Sequence, residues 1–380
     1  MSDPVLDSIA RKVAAGERLS VEDGVALYET PDLITLGRLA DAANRAKNGD
    51  VVTFAANQHI NPTNVCVLRK TCVFCGYARL PNEAGAYRYT LEQVLAEAAS
   101  AADSLTREFH IVGGLDMHAG LAYYADMFRA LKSNFPHVHI KALTAVEIAH
   151  IARIEKMPWR DVLIALRDAG LDTMPGGGAE TFSLAVREQI AGRKLAGADY
   201  IGVHRTAHEL GIRTNCTMLY GHVETIGDRV EHLAMLRSLQ DETGGFLAYI
   251  PLAYHPDDNE LGKTLGRQGS STGGVDDLKM LAVGRLFLDN FRHIKSHWIM
   301  VTQPLSQVAL HFGVNDLEGT VVREKIYHAV GAHTPQSMSL AGLIHLIRGA
   351  GKQPAERDSF YQILRTFEDV PDEAVTAAAR

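Results

Sequence analysis

The stretch Val51-Val-Thr-Phe-Ala-Ala-Asn-Gln-His59-Ile-Asn61-Pro-Thr-Asn-Val-Cys66-Val-Leu-Arg-Lys-Thr-Cys72-Val-Phe74-Cys75 decides how this chain is read. Residues 51–60, rich in apolar and β-branched side chains, predict a strand. The strand runs into a loop holding three of the chain's four cysteines within ten residues. A structural zinc site closes with four protein ligands. Three cysteines can instead hold three irons of a [4Fe–4S] cube and leave the fourth iron open. An open iron can bind a small molecule and pass it an electron, so the loop points to radical chemistry rather than to a staple. The alternative is a zinc site completed by a histidine such as His59. Phe74, just before the last cysteine, can shield a cluster from water. The fourth cysteine, Cys216, falls inside a later strand, as an inert buried thiol or as a ligand that would close the open iron.

Further strands are predicted at 108–112, 138–143, 173–175, 213–219, 246–252, 295–301 and 308–312. Helical periodicity fills 90–102, 121–134, 159–169, 198–210, 225–240 and 276–290. About eight β units, each followed by a helix, predict an α/β fold of the (β/α)8 barrel type. A doubly wound sheet is the alternative, disfavoured because no G-x-G-x-x-G follows the first strand. Residues 1–50 read as an N-terminal helical segment, with Ser20-Val-Glu-Asp23 as a helix start. The barrel is expected over 51–320, and a C-terminal helical extension packing on it over 321–380. The glycine- and serine-rich segment 262–274 reads as a mobile loop.

In a parallel barrel the chemistry gathers at the carboxyl ends of the strands. The cysteine loop follows strand one, Gly113-Gly114 strand two, Thr144 and Glu147 strand three. Gly176-Gly177-Gly178-Ala179-Glu180 follows strand four, Tyr220-Gly221-His222 strand five, and Tyr254-His255 strand six. So many polar, aromatic and glycine strand ends predict one shared pocket.

Bulk properties exclude several classes. A formal net charge of −7 leaves no basic field for nucleic acid or an anionic membrane. No run of about 18 apolar residues is present to span a bilayer. The acidic start MSDPVLDSIARKVAAGE does not read as a secretory signal. Four cysteines, three of them bunched, do not form a disulfide framework. The expected setting is cytoplasmic, where thiols stay reduced.

On its cysteine loop the chain resembles the radical S-adenosylmethionine enzymes, whose common pattern is C-x3-C-x2-C with an aromatic before the final cysteine. Here the pattern is C-x5-C-x2-C, with two extra residues in the first gap. An ordered set of segments narrows the likeness: His59-Ile-Asn-Pro-Thr-Asn-Val-Cys66, Glu83-Ala-Gly-Ala-Tyr87, His110-Ile-Val-Gly-Gly114, Lys141-Ala-Leu-Thr-Ala-Val-Glu147, Pro175-Gly-Gly-Gly-Ala-Glu180, Thr217-Met-Leu-Tyr-Gly-His222, Gln240-Asp-Glu-Thr-Gly-Gly-Phe246 and Gly319-Thr-Val-Val-Arg-Glu-Lys-Ile-Tyr327. Together they resemble the aminofutalosine synthase family, over residues 50–365.

That resemblance implies a [4Fe–4S] cluster on Cys66, Cys72 and Cys75, with S-adenosylmethionine consumed as a co-substrate. It implies addition of a 5′-deoxyadenosyl radical to 3-[(1-carboxyvinyl)oxy]benzoate, giving 6-amino-6-deoxyfutalosine on the futalosine route to menaquinone. Its partners would be that small-molecule substrate and an electron donor such as flavodoxin or ferredoxin, with no nucleic acid and no membrane. Gly113 and Gly114 would lie against the methionine part of the nucleotide, or simply form a tight turn. Thr144, Glu147 and Glu180 would reach the ribose hydroxyls or the methionine ammonium, or serve strand ends and helix N-termini. Tyr77 would lie by the adenine. Arg193 would pair with the methionine carboxylate through a two-pronged contact, with Lys194 as its neighbouring competitor and a plain surface arginine as the alternative. His59, Asn61, Tyr220, His222 and His255 are the candidate substrate contacts, His59 being otherwise a satisfied core histidine. Two rivals stand beside this reading: a related radical enzyme such as dehypoxanthine futalosine cyclase, and a non-enzymatic iron–sulfur electron carrier.

Overall fold

Strand one is broken in two, and the break organises the barrel. In the computed structural model, which describes residues 4–269 and 272–367, β1 (Val51–Ala55) and β2 (Asn57–Ile60) are separated by Ala56. β2 pairs in parallel with β3 (Glu108–Ile111), and β3 with β4 (His139–Ala142). Thr173 and Met174 carry the sheet onward through single bridges to Lys141 and Thr214. β5 (Thr214–Tyr220), β6 (Phe246–Ala253) and β7 (His293–Ile294) form the next run. Lys295 bridges to Asp316 of β8 (Asp316–Gly319), and β8 pairs back onto β1. The result is a closed ring of parallel strands, with its interior available to side chains from every strand.

The helices outside follow local signals. Leu121–Asn134 and Trp159–Ala169 keep the bounds their periodicity predicts. Val21–Glu29, Leu91–Ala99 and Ala145–Glu155 each begin with a capping box, on Ser20/Asp23, Thr90/Gln93 and Thr144/Glu147. The N-terminal segment carries helices Pro4–Ala14 and Leu33–Asn48 on either side of Val21–Glu29.

Four expectations change. The predicted strand 295–301 is not found there: the strand lies just before it, at His293–Ile294, with Lys295 in a single bridge, and Trp298–Val301 is a helical turn. Its four apolar residues are all buried, and a short buried apolar run has the same pattern in either state. The predicted strand 308–312 is the end of helix Gln303–Ala309 and the turn after it, and the last barrel strand comes later, at Asp316–Gly319. Within 262–274, helix Glu260–Leu265 occupies the first part, and residues 270–271 lie outside the described ones. The extension after 320 carries helix Leu340–Gly349 but also two strands, β9 (Gln353–Arg357) and β10 (Ile363–Thr366). β9 pairs in parallel with β1, and β10 folds antiparallel onto β9. Residues 368–380 of that extension lie outside the described ones.

Candidate active site

Cys66, Cys72 and Cys75 all line one cavity inside the barrel. Backbone hydrogen bonds fix their loop to its surroundings: Cys66 N–H donates to Arg79 O, Val67 N–H to Leu115 O and Val73 N–H to Ile190 O, at 2.9, 3.0 and 3.0 Å. Gly113 and Gly114 line the same cavity, and they are needed for a second reason. A Cβ on Gly114 would stand 2.2 Å from the Val65 carbonyl oxygen, so the stem of the cysteine loop can rest there only on glycine.

The residues fit a cluster better than a single ion. One tetrahedral zinc holds its sulfurs within about 4.6 Å of one another, twice the Zn–S distance. Among the described residues, the group of metal-ligating side chains drawn that close, within 4.8 Å, is Glu108, His110 and Glu318, and not the three cysteines. Cys216 is buried in β5, is absent from the cavity lining, and is placed 3.7 Å from the Ala248 carbonyl oxygen. Three thiols around one space without a fourth is the donor set of a cube with an open iron. Burial pushes the Cys72 thiol up to about 12 and raises Cys66 as well, so binding of iron must release their protons.

Beside the cysteines stands an ion pair. Lys194 bonds to Glu180, lies 5.4 Å from the centroid of the Phe74 ring, and is the one lysine or arginine among the lining residues. Arg193 is exposed and outside the cavity. Glu180 keeps φ at 51°, a left-handed value rare for a residue with a side chain. Glu147 also reaches the lining, but its carboxylate is engaged by the protein itself. It accepts from Gly113 N–H at 2.9 Å, Thr144 N–H at 2.7 Å and the Thr144 hydroxyl at 2.8 Å. Burial lifts its carboxyl to about 7 against those three bonds. It thereby ties the end of β3 to the start of helix Ala145–Glu155. Tyr77 lines the cavity with its hydroxyl 2.6 Å from that of Tyr87. His255 lines it too, donating from Nε2 to Met300 O at 3.0 Å.

Three expected contacts lie elsewhere. Tyr220 points outward because residues alternate along β5: Thr217 and Leu219 face the cavity, and the Tyr220 hydroxyl donates to Asp277 at 2.6 Å. His222 folds back, donating from Nε2 to Leu219 O at 3.0 Å and accepting at Nδ1 from Val223 N–H at 2.8 Å. Asn61 spends its amide on Val112 O at 2.9 Å.

His59 does face the cavity, stacked on His110 with ring centroids 4.5 Å apart and planes 9° off parallel. Register explains the stack, since His59 and His110 are direct partners across β2 and β3. His110, His297, Glu318 and Glu324 also line the cavity and were not foreseen. His110 was visible in the motif before Gly113-Gly114. His297 was hidden by the misread strand, because with β7 ending at Ile294 it becomes a strand-end residue. Below these rings, three carboxylates meet three cations. Glu108 pairs with Lys141 at 2.6 Å, Glu318 with Lys295 at 2.6 Å, and Asp316 with Arg357 at 2.5 Å. Lys295 pulls Glu318 well below the usual carboxylate range, against its burial. Burial holds His59 down to about 3 and His110 down to about 4, so both rings are neutral at pH 7.

The comparisons agree with this geometry. The family model of the radical SAM superfamily matches residues 60–236, and that of the CofH/MqnC C-terminal region matches 243–370. The chain is 47% identical to an aminodeoxyfutalosine synthase of Thermus thermophilus, over 97% of this chain and 98% of the relative. It is 44% identical to one of Streptomyces coelicolor, over 96% and 95%. Among solved structures, methylornithine synthase matches with a TM-score of 0.72, covering 91% of this chain and 97% of its own at 16% identity, a likeness of fold alone.

Proposed function

The chain belongs to the radical S-adenosylmethionine superfamily and, within it, to the aminodeoxyfutalosine synthases, and from that membership we infer that it catalyses their reaction. The reaction joins a 5′-deoxyadenosyl group to 3-[(1-carboxyvinyl)oxy]benzoate and yields 6-amino-6-deoxyfutalosine for menaquinone biosynthesis. When bound on Cys66, Cys72 and Cys75, the [4Fe–4S] cluster supplies the electron that splits S-adenosylmethionine into methionine and a 5′-deoxyadenosyl radical.

The chain's own task is to bind, orient and keep out water. Lys194, which lines the cavity, suits the methionine carboxylate better than the exposed Arg193, and Glu180 beside it suits the methionine ammonium or the ribose hydroxyls. Gly113 and Gly114 supply flat backbone for the nucleotide to lie on. Apolar walls from Leu115, Ile250 and Leu252 protect a radical from side reactions. The alkene carbon must be held about 3–3.5 Å from the radical carbon. No helix among the described residues is long and apolar enough to cross a membrane. A small electron carrier such as flavodoxin or ferredoxin, in the cytoplasm, is the matching electron source.

The observation that carries this reading is the full-length likeness to two named synthases, joined to three cysteines that line one cavity. Reduced, reconstituted enzyme given S-adenosylmethionine and the carboxyvinyloxy benzoate should form an adenosine–benzoate adduct lacking the enol-ether carboxylate carbon, seen by mass spectrometry. Free 5′-deoxyadenosine as the sole nucleoside product would refute it and favour hydrogen abstraction, as in the cyclase.

A further inference from the structure

The substrate proposed above carries two carboxylates at opposite ends. One sits on the alkene carbon next to the CH2 that meets the radical, so it stays close to the nucleotide. The other, on the benzene ring, must lie at the far end of the cavity. Residues after the strand ends, from the cysteine loop to Gly176, Tyr254 and His255, line the mouth. Residues within or just past the shorter strands, among them His59, His110 and Glu318, line the depth.

A buried carboxylate is costly unless donors meet it. At depth the formal charges are already spent, since Glu108, Asp316 and Glu318 balance Lys141, Lys295 and Arg357, and Glu324, which also lines the cavity, is paired with His328. The same pairing argues against a metal at Glu108, His110 and Glu318, because two of those ligands already hold ammonium groups. Among the lining residues, the buried nitrogens left to donate to a carboxylate are those of three imidazoles, Asn215 Oδ1 being an acceptor. His59 Nε2, His110 Nδ1 and His297 Nδ1 are buried without a hydrogen-bond partner, and all three rings line the cavity. A buried ring nitrogen left without a partner is costly. Three together, at the end where an aryl carboxylate must arrive, mark a place where a ligand completes the bonding.

We propose that His59, His110 and His297 form the anchor for the aryl carboxylate of the substrate, and so select a benzoate-type acid over neutral aryl ethers. The stack of His59 on His110 fixes two of the rings, and His297, 5.6 Å from the Tyr327 ring at 62°, supplies the third. These are positioning residues: they set where the ring end lies and thereby where the alkene meets the radical. The inference rests on the function proposed above.

The test compares the benzoate substrate with its aryl carboxamide in reconstituted full-length enzyme. Wild type should prefer the acid by about 10- to 100-fold in kcat/KM, the worth of a charge-assisted bond. In His110→Phe and His297→Phe the preference should collapse through KM of the acid, with iron content unchanged. His110→Gln, which keeps a donor, should recover part of it, and this variant and His297→Phe keep the test alive if His110→Phe does not fold. Undiminished discrimination in the folded variants overturns the anchor while leaving the reaction standing. A wild type that turns over neither compound overturns both.

Discussion

Cys72 and Cys216 are both buried thiols of one chain, yet their surroundings assign them opposite fates. Cys72 borders the cavity with Lys194 acting on it electrostatically, whereas Cys216 is enclosed in β5 with no charged neighbour acting on it. Cys72→Ser should therefore lose most of the iron and sulfide of reconstituted enzyme, and Cys216→Ser should keep wild-type content and the same electron paramagnetic resonance spectrum. Equal loss from both would mean that Cys216 is a ligand and that no iron is open. Lys194 decides a second question at this scale. As the one lysine or arginine in the lining, its exchange for methionine leaves Glu180 without its cation and, on the role proposed above, the methionine carboxylate without a partner. KM for S-adenosylmethionine should rise by about 10- to 100-fold, while iron content stays level. An unchanged KM would remove Lys194 from the nucleotide site.

At the scale of elements, the strands after residue 290 show what periodicity can and cannot reach. The cysteine loop, the two glycine turns and six of the eight strands follow from apolar runs and turn residues close in sequence. β8 does not, because Asp316-Leu-Glu318-Gly carries charges that no lone strand would bury. Their partners are remote: Lys295 precedes β8 by about twenty residues and Arg357 follows from β9. Only the closed barrel shows that the strand is neutralised. That part of the cavity lining was obscured for the same reason, since Glu318 and His297 belong to the two misread strands. β9 is thus more than an appendage, as it delivers Arg357 to Asp316. Removing one partner of a buried pair costs about 3–5 kcal/mol. Arg357→Met should lower stability by that order in urea titrations, although the residue does not line the cavity. A loss within error of zero would show that β9 is dispensable to the barrel.

For the whole molecule, the many buried histidines set a limit on acid tolerance. His59, His232 and His293 are held down to about 3, and His110, His139 and His208 to about 4, in each case chiefly by burial. Unfolded, each takes a proton near 6.5. Below that pH the unfolded chain binds more protons than the folded one, so stability present at neutral pH is lost as pH falls from 6.5 toward 4. Glu147 acts the other way: its carboxyl, raised to about 7, favours the folded state as pH drops, and it offsets one of the six. Each net proton is worth about 1.4 kcal/mol per pH unit. Several together rival the roughly 5–15 kcal/mol that holds a domain folded. The urea midpoint of the anaerobic enzyme should fall steeply between pH 6.5 and 5, read on the fluorescence of its two tryptophans. His232 stacks on Phe182 at 4.0 Å, donates to Thr217 O and takes no part in the cavity lining. His232→Asn should flatten the slope by about one proton while leaving substrate selection untouched. Constant stability from pH 7 to 5 would show that these rings protonate inside the fold, and that the barrel interior is far better hydrated than its burial implies.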